Sequence, residues 1–98
     1  MPRLTRQELI DRLCDRLQGT PDPTHEVDVR LAKGAMIVAA TPGEIPAAVE
    51  RLKPLLGYCF LGIHHDDLFA ASRATDQTKI GSLDETGATV KAAEVKLR

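Results

Sequence analysis

The clearest pattern of hydrophobic and polar positions is helical and lies near the start of the chain. Thr5 and Glu8 have the spacing of a capping box, in which each side chain satisfies a backbone N–H at a helix start. Apolar residues then recur at intervals of three and four, with charged residues between them. This pattern predicts an amphipathic helix that ends at Gly19. Its apolar face consists of Leu9, Ile10, Leu13, Cys14 and Leu17.

Residues 26–40 carry two strand-like patterns. Apolar and charged residues alternate at first, as in a strand with one face in water, whereas residues 35–40 are apolar throughout, as in a strand covered on both sides or at an interface. Lys33 and Gly34 separate the patterns, so we predict a β-hairpin over 26–40. A second helix is predicted over residues 41–57, because a Pro-Gly-Glu start precedes apolar residues at helical spacing.

A third patterned region surrounds four consecutive ionisable residues, which we call the tetrad: His64, His65, Asp66 and Asp67. Apolar segments flank the tetrad at 58–63 and 68–72, so we predict a second hairpin with the tetrad at its tip. Residues 73–79 are polar and predict a loop. Alternation over residues 90–97 predicts a final edge strand.

Together these elements predict one α+β domain over residues 1–98, in the order α-β-β-α-β-β-β. Hairpin connections imply an antiparallel sheet of about four to five strands, with both helices on one face of a two-layer sandwich. Two helices would leave the other apolar face uncovered, so we expect a partner or a second copy of the chain to cover it. The residues expected in this buried or interface face are Met36, Ile37, Val38, Tyr58, Phe60 and Phe69.

Composition narrows the function classes. The net charge is −1 and charges of both signs are interspersed, so the basic stripe that nucleic acid requires is missing. No apolar run approaches the roughly 20 residues of a membrane span, and no secretory signal is visible. The two cysteines, Cys14 and Cys59, give no disulfide framework, which indicates a reducing cytoplasm.

Candidate chemistry is concentrated in the tetrad. Imidazole and carboxylate groups are ligands for zinc and similar divalent metals. The predicted metal or small-ligand site therefore consists of His25, His64, His65, Asp66 and Asp67. The competing interpretation is a solvated turn, because neighbouring strand residues point to opposite faces and Asp is common in turns. In either case the carboxylates should raise the pKa of both tetrad histidines above about 6.5.

From these observations we predict a non-catalytic protein-interaction or regulatory module, homodimeric through its sheet and without a cofactor. The richness in Ala, Arg and Leu favours a bacterial or phage source. The alternative is a metal- or small-ligand-binding protein that uses the tetrad, with a divalent metal such as zinc. A third possibility is a nucleic-acid accessory factor that uses basic residues of the first helix and its approach, namely Arg3, Arg6, Arg12 and Arg16.

Overall fold

The computed structural model describes residues 3–32 and 34–97. Within these residues, six strands form one sheet in the order of the sequence, and three α-helices pack on it. The strands are β1 (Thr20–Pro21), β2 (Val29–Leu31), β3 (Gly34–Val38), β4 (Tyr58–Gly62), β5 (Gly81–Leu83) and β6 (Thr89–Lys91). The helices are α1 (Arg6–Leu17), α2 (Ile45–Leu52) and α3 (Leu68–Thr75).

The sheet is mixed. Strands β3, β4 and β5 are parallel neighbours, whereas β1–β2, β2–β3 and β5–β6 are antiparallel pairs. The predicted α+β class is confirmed, but the prediction of an antiparallel sheet of about four to five strands with two helices was wrong in that detail. Parallel neighbours need a crossover connection, usually a helix. Here α2 connects β3 to β4, and α3 connects β4 to β5.

The layering also differs from the prediction, because helices cover both faces of the sheet. Met36 packs in one apolar cluster with Leu13 of α1. Its neighbour Ile37 packs in a second cluster with Leu52 of α2 and Ala71 of α3. The expected two-layer sandwich is therefore a three-layer arrangement. Residues 35–40 are continuously apolar because β3 is a central strand buried on both sides.

The first predicted helix is confirmed, together with its capping box. The backbone N–H of Glu8 donates to Thr5 Oγ1 at 3.2 Å, and the backbone N–H of Thr5 donates to Glu8 Oε1 at 2.9 Å. Gln18 adopts the left-handed conformation, with φ 55°, and ends α1 one residue before the predicted Gly19. The second predicted helix is also present, but a 3-10 turn over Pro42–Glu44 precedes α2.

The first predicted hairpin corresponds to β2 and β3, in which Val29 pairs with Met36. The turn residue Lys33 lies outside the described residues. Gly34 then starts β3 where the backbone of β4 comes very close. A Cβ added at Gly34 would lie 2.0 Å from the carbonyl oxygen of Tyr58, so only glycine allows this approach.

The second predicted hairpin was wrong. Strand β4 is present, but residues 68–72 belong to α3, and His65–Asp67 form a 3-10 turn that leads into that helix. The short apolar run was compatible with either a strand or a buried helix, and the alanines in it favour a helix. Residues 73–75, expected in a loop, complete α3.

The end of the chain is less regular than predicted. Strand β5, which the sequence pattern did not indicate, is a buried segment of Gly, Ser and Leu. The predicted edge strand over 90–97 is reduced to β6, after which Lys96 forms an isolated bridge with Gly57. Among the described residues the longest helix has 12 residues, and none combines the length and apolar character needed to cross a bilayer.

Candidate functional site

The tetrad lies directly after the carboxyl end of β4. The carboxyl ends of parallel neighbours meet at one edge of the sheet, so residues that follow β3, β4 and β5 lie close together there. Ala40 follows β3 and Glu85 follows β5 on this same side of the sheet, because the three strands run parallel. We call this region, comprising residues 39–40, 63–67 and 84–86, the carboxyl edge.

His65 and Glu85 form a short polar contact at the carboxyl edge. His65 Nδ1 lies 2.5 Å from Glu85 Oε1, and the backbone N–H of His65 donates to Glu85 Oε2 at 2.7 Å. On the other side of the ring, His65 Nε2 lies 3.0 Å from Asp66 Oδ1. Because an ionised carboxylate only accepts hydrogen bonds, Nδ1 donates to Glu85, and Asp66 forms an ion pair with the ring when the ring is protonated. Both carboxylates therefore favour the protonated form of the His65 ring.

The same contacts shift the pKa of both partners. The hydrogen bond from Glu85 and the charges of Glu85 and Asp66 raise the pKa of His65 above 6.5. Burial acts to raise the pKa of Glu85, but the hydrogen bonds from the ring and backbone of His65 outweigh it and lower that pKa below 4.5. The predicted rise in pKa is thus found for His65. Its main cause is Glu85, which lies outside the tetrad.

His64 is buried and has one ring nitrogen without a close partner. Its Nε2 lies 3.1 Å from the carbonyl oxygen of Leu4, which can only accept, so Nε2 carries the hydrogen. In the neutral ring, Nδ1 is then an acceptor. It lies 3.9 Å from Glu85 Oε2, which is beyond hydrogen-bond distance. Two acceptors therefore face each other across this gap.

Asp67 stabilises the edge instead of facing a ligand. Its Oδ2 lies 2.5 Å from Arg3 Nη2, and the carboxylate is buried at 4% exposure. The same Arg3 nitrogen donates to the carbonyl oxygen of Ala40 at 2.7 Å. Together with the bond between Leu4 and His64, these contacts hold the segment before α1 across the carboxyl edge.

A cavity of about 290 Å³ lies between this segment, α1 and the carboxyl edge. Its lining brings together charged groups of both signs and the two acceptors described above. The lining residues are Arg3, Leu4, Arg12, His64, His65, Asp66, Glu85 and Thr86. Asp67 does not line this cavity, because Arg3 occupies its carboxylate.

The structure does not assemble the predicted metal site. Within residues 3–32 and 34–97, no group of three or more His, Cys, Asp or Glu side chains is arranged to hold a metal ion. His25 lies in the loop between β1 and β2, where its backbone N–H donates to the carbonyl oxygen of Asp22 at 3.2 Å. It does not line the cavity.

The six predicted interface residues fall into three environments. Met36, Ile37 and Val38 are core residues with exposures of 0, 1 and 2%. Phe69 projects from α3 with 86% exposure. Tyr58 and Phe60 are half-buried and line an apolar groove of about 480 Å³ near the amino ends of β3 and β4. This groove is also lined by Leu17, Leu31, Ala32, Gly34, Thr89, Ala92 and Ala93.

Sequence reasoning missed Glu85 as a site residue. Glu85 is 20 residues from His65 and follows the short strand β5, which has no clear pattern. Arg3 and Arg12 were considered only as basic residues for nucleic acid. Their positions depend on how α1 packs, so no local signal could have placed them at the tetrad.

Comparisons with known proteins add no functional assignment. The chain matches no protein-family model, no curated protein and no solved structure.

Proposed function

We propose that this protein is a small-ligand-binding module whose site is the cavity at the carboxyl edge. The observation that carries this proposal is that the buried side chain of His64 and the half-buried side chain of Glu85 line a cavity of about 290 Å³, with the exposed ring of His65 fixed to Glu85 at its rim. Small-molecule pockets have volumes of about 300–1,000 Å³ and contain a few fixed polar groups. The cavity, at about 290 Å³, is just below this range, so the ligand is small.

The arrangement favours binding over catalysis. A general base needs a ring nitrogen that can accept a proton from the substrate. In His65, both nitrogens face carboxylates, at 2.5 Å from Glu85 and 3.0 Å from Asp66. These contacts hold the ring in place and favour its protonated form. Fixed charges and acceptors of this kind orient a polar ligand without reacting with it.

The proposal can be tested by NMR with a library of small polar metabolites. Binding at the cavity should shift the backbone amide signals of residues 64–66 and 85–86. The variant Glu85→Gln should weaken this binding, whereas Glu94→Gln, an exposed residue outside the cavity, should not. If no compound perturbs these signals in the folded protein, the proposal is wrong.

A second candidate function is a protein-interaction module that forms a homodimer through the apolar groove. The supporting observation is that Tyr58 and Phe60 line a groove of about 480 Å³ that α1 leaves open. Core burial of Met36, Ile37 and Val38 removes the original argument for an uncovered sheet face, so the groove is the remaining support. Aromatic residues in such grooves are typical anchors of protein interfaces.

Sedimentation velocity over a wide concentration range tests the homodimer. The wild-type chain should sediment as a dimer, and Phe60→Asp should give a folded monomer. Leu56→Asp, at an exposed apolar position outside the groove, is the control and should remain dimeric. A wild-type protein that is monomeric at every concentration would exclude this function.

A further inference from the structure

At the cavity, His64 Nδ1 has no hydrogen-bond partner among the described residues, and the neighbouring Glu85 Oε2 accepts one hydrogen bond, from the backbone N–H of His65 at 2.7 Å. Nδ1 of His64 and Oε2 of Glu85 lie 3.9 Å apart, and the two side chains are only 7 and 15% exposed. A ligand nitrogen placed about 2.9 Å from each of them would satisfy both. An ammonium group suits this position because it has three donors and no acceptor. A ligand anion would instead face the carboxylate and a ring lone pair.

The charges around the cavity leave one surplus carboxylate. Arg3 neutralises Asp67 in a direct ion pair. The imidazolium of His65 contacts both Glu85 and Asp66, so one cation serves two carboxylates. Glu85 and Asp66 both line the cavity, so this negative charge belongs to its wall. A positively charged ligand group would balance it.

The lining also contains a cation, Arg12, whose charge acts on the carboxylate of Glu8, outside the cavity. Arg12 forms no ion pair within the parts of the chain that the structure describes. Glu8, one helical turn earlier, is held at the helix start by the backbone N–H of Thr5 at 2.9 Å. Arg12 is an exposed residue of α1 that lines the cavity. Guanidinium groups bind carboxylates through paired hydrogen bonds.

We infer that the cavity binds a small zwitterion of the α-amino acid class. The ligand's ammonium group is held between His64 Nδ1 and Glu85, and its carboxylate is bound by Arg12. Its apolar part lies against Leu4. This inference rests on the proposed ligand-binding function and specifies the ligand. A zwitterion matches both surplus charges, whereas a simple anion or a simple cation would leave one of them unbalanced.

The decisive experiment is calorimetric titration of the wild-type chain with matched ligand sets. L-Leucine and L-alanine each have an analogue that lacks the amino group, 4-methylpentanoate and propionate, and one that lacks the carboxylate, 3-methylbutylamine and ethylamine. At least one amino acid should bind, and both of its analogues should bind at least about tenfold more weakly, because each leaves a charged group of the site without its partner.

Variants then assign the two ends of the ligand. Arg12→Gln should weaken amino-acid binding at least about tenfold but leave the already weak binding of the amine unchanged. Arg16→Gln, one turn along α1 and outside the cavity, is the matched control and should stay within about twofold. Equal losses for both variants would overturn the role of Arg12.

The outcomes separate the inference from the proposed function. If inorganic phosphate or zinc binds at residues 64–66 and the amino acids do not, the inference is wrong and the ligand-binding function stands. If an amino acid binds no better than its amine or acid analogue, the inference is also wrong. If none of these probes nor the metabolite library binds, both fail. Because the ligand series uses only the wild-type chain, the test does not depend on any variant folding.

Discussion

Arg3 Nη2 lies 2.5 Å from Asp67 Oδ2, although the two residues are 64 positions apart in the chain. The ion pair joins the segment before α1 to the start of α3, and the same nitrogen also donates to the carbonyl oxygen of Ala40. It therefore connects helices on opposite faces of the sheet. It also closes one side of the cavity that we propose as the ligand site.

Replacing Arg3 with Gln should destabilise the protein, because it leaves the buried Asp67 carboxylate without its charged partner. Arg73→Gln, an exposed substitution on α3, is the control and should change the melting temperature less. Thermal unfolding followed by circular dichroism measures both. Equal melting temperatures for the two variants would show that the ion pair contributes no stability.

Met36→Ala and Ile37→Ala should each lower the free energy of unfolding by about 2–5 kcal/mol. The two residues are neighbours on β3 with exposures of 0 and 1%, so they fill cores on opposite faces of the sheet. Val90→Ala at an exposed position should cost less than about 0.5 kcal/mol. Urea unfolding measures all three. In a two-layer protein one of these two side chains would face solvent, and its replacement would cost little. A small loss of stability for either variant would therefore contradict the three-layer arrangement.

Gly34→Ala should be strongly destabilising, by more than about 2 kcal/mol. Its new methyl group would lie 2.0 Å from the carbonyl oxygen of Tyr58, and backbone cannot move aside without breaking the pairing of β3 with β4. Gly43→Ala is the control, since its nearest neighbour would be Thr41 Oγ1 at 3.9 Å. Urea unfolding should separate the two variants. Similar stabilities would mean that β3 and β4 do not approach this closely.

Stability should fall at acid pH in a window set by Asp22. The backbone N–H of Val27, with further hydrogen bonds from Thr24, lowers the pKa of Asp22 from 3.8 to about 2. Because the folded-state pKa is the lower one, this contribution is present above pH 3.8 and disappears as the pH falls towards 2. Asp22→Asn should flatten the stability profile there, and the exposed Asp15→Asn should not. Identical profiles for both variants would remove Asp22 as the cause.

The stabilisation from the His65–Glu85 pair should have the opposite pH dependence, because it is lost as the pH rises. Its hydrogen bond raises the pKa of His65 above 6.5, so its stabilisation is complete below pH 6.5 and is lost as the pH rises through the raised value. The effect should be modest because the ring is solvent-exposed. Unfolding measured across neutral pH should show this slope in the wild type but not in His65→Gln. A slope that survives the substitution would have to come from another group.

Local patterns predicted those parts of the fold that local interactions specify. The capping box of Thr5 and Glu8 forms within four residues, so α1 could be predicted from the sequence. The β2–β3 hairpin likewise connects neighbours in the chain. Residues 68–72 were predicted wrongly because a short apolar run fits a buried strand or a helix equally well. The segment is a helix because β4 and β5 are parallel, and parallel strands need a crossover connection.

The α+β class, the first helix, the first hairpin and the concentration of titratable groups in the tetrad could all be predicted from local patterns. The coverage of both sheet faces by helices, and the contacts of the tetrad with Glu85 and Arg3, became visible only in the folded chain. Those two contacts join residues 20 and 64 positions apart. Their geometry depends on the order and direction of the strands and on the packing of α1, which no single segment of the chain encodes.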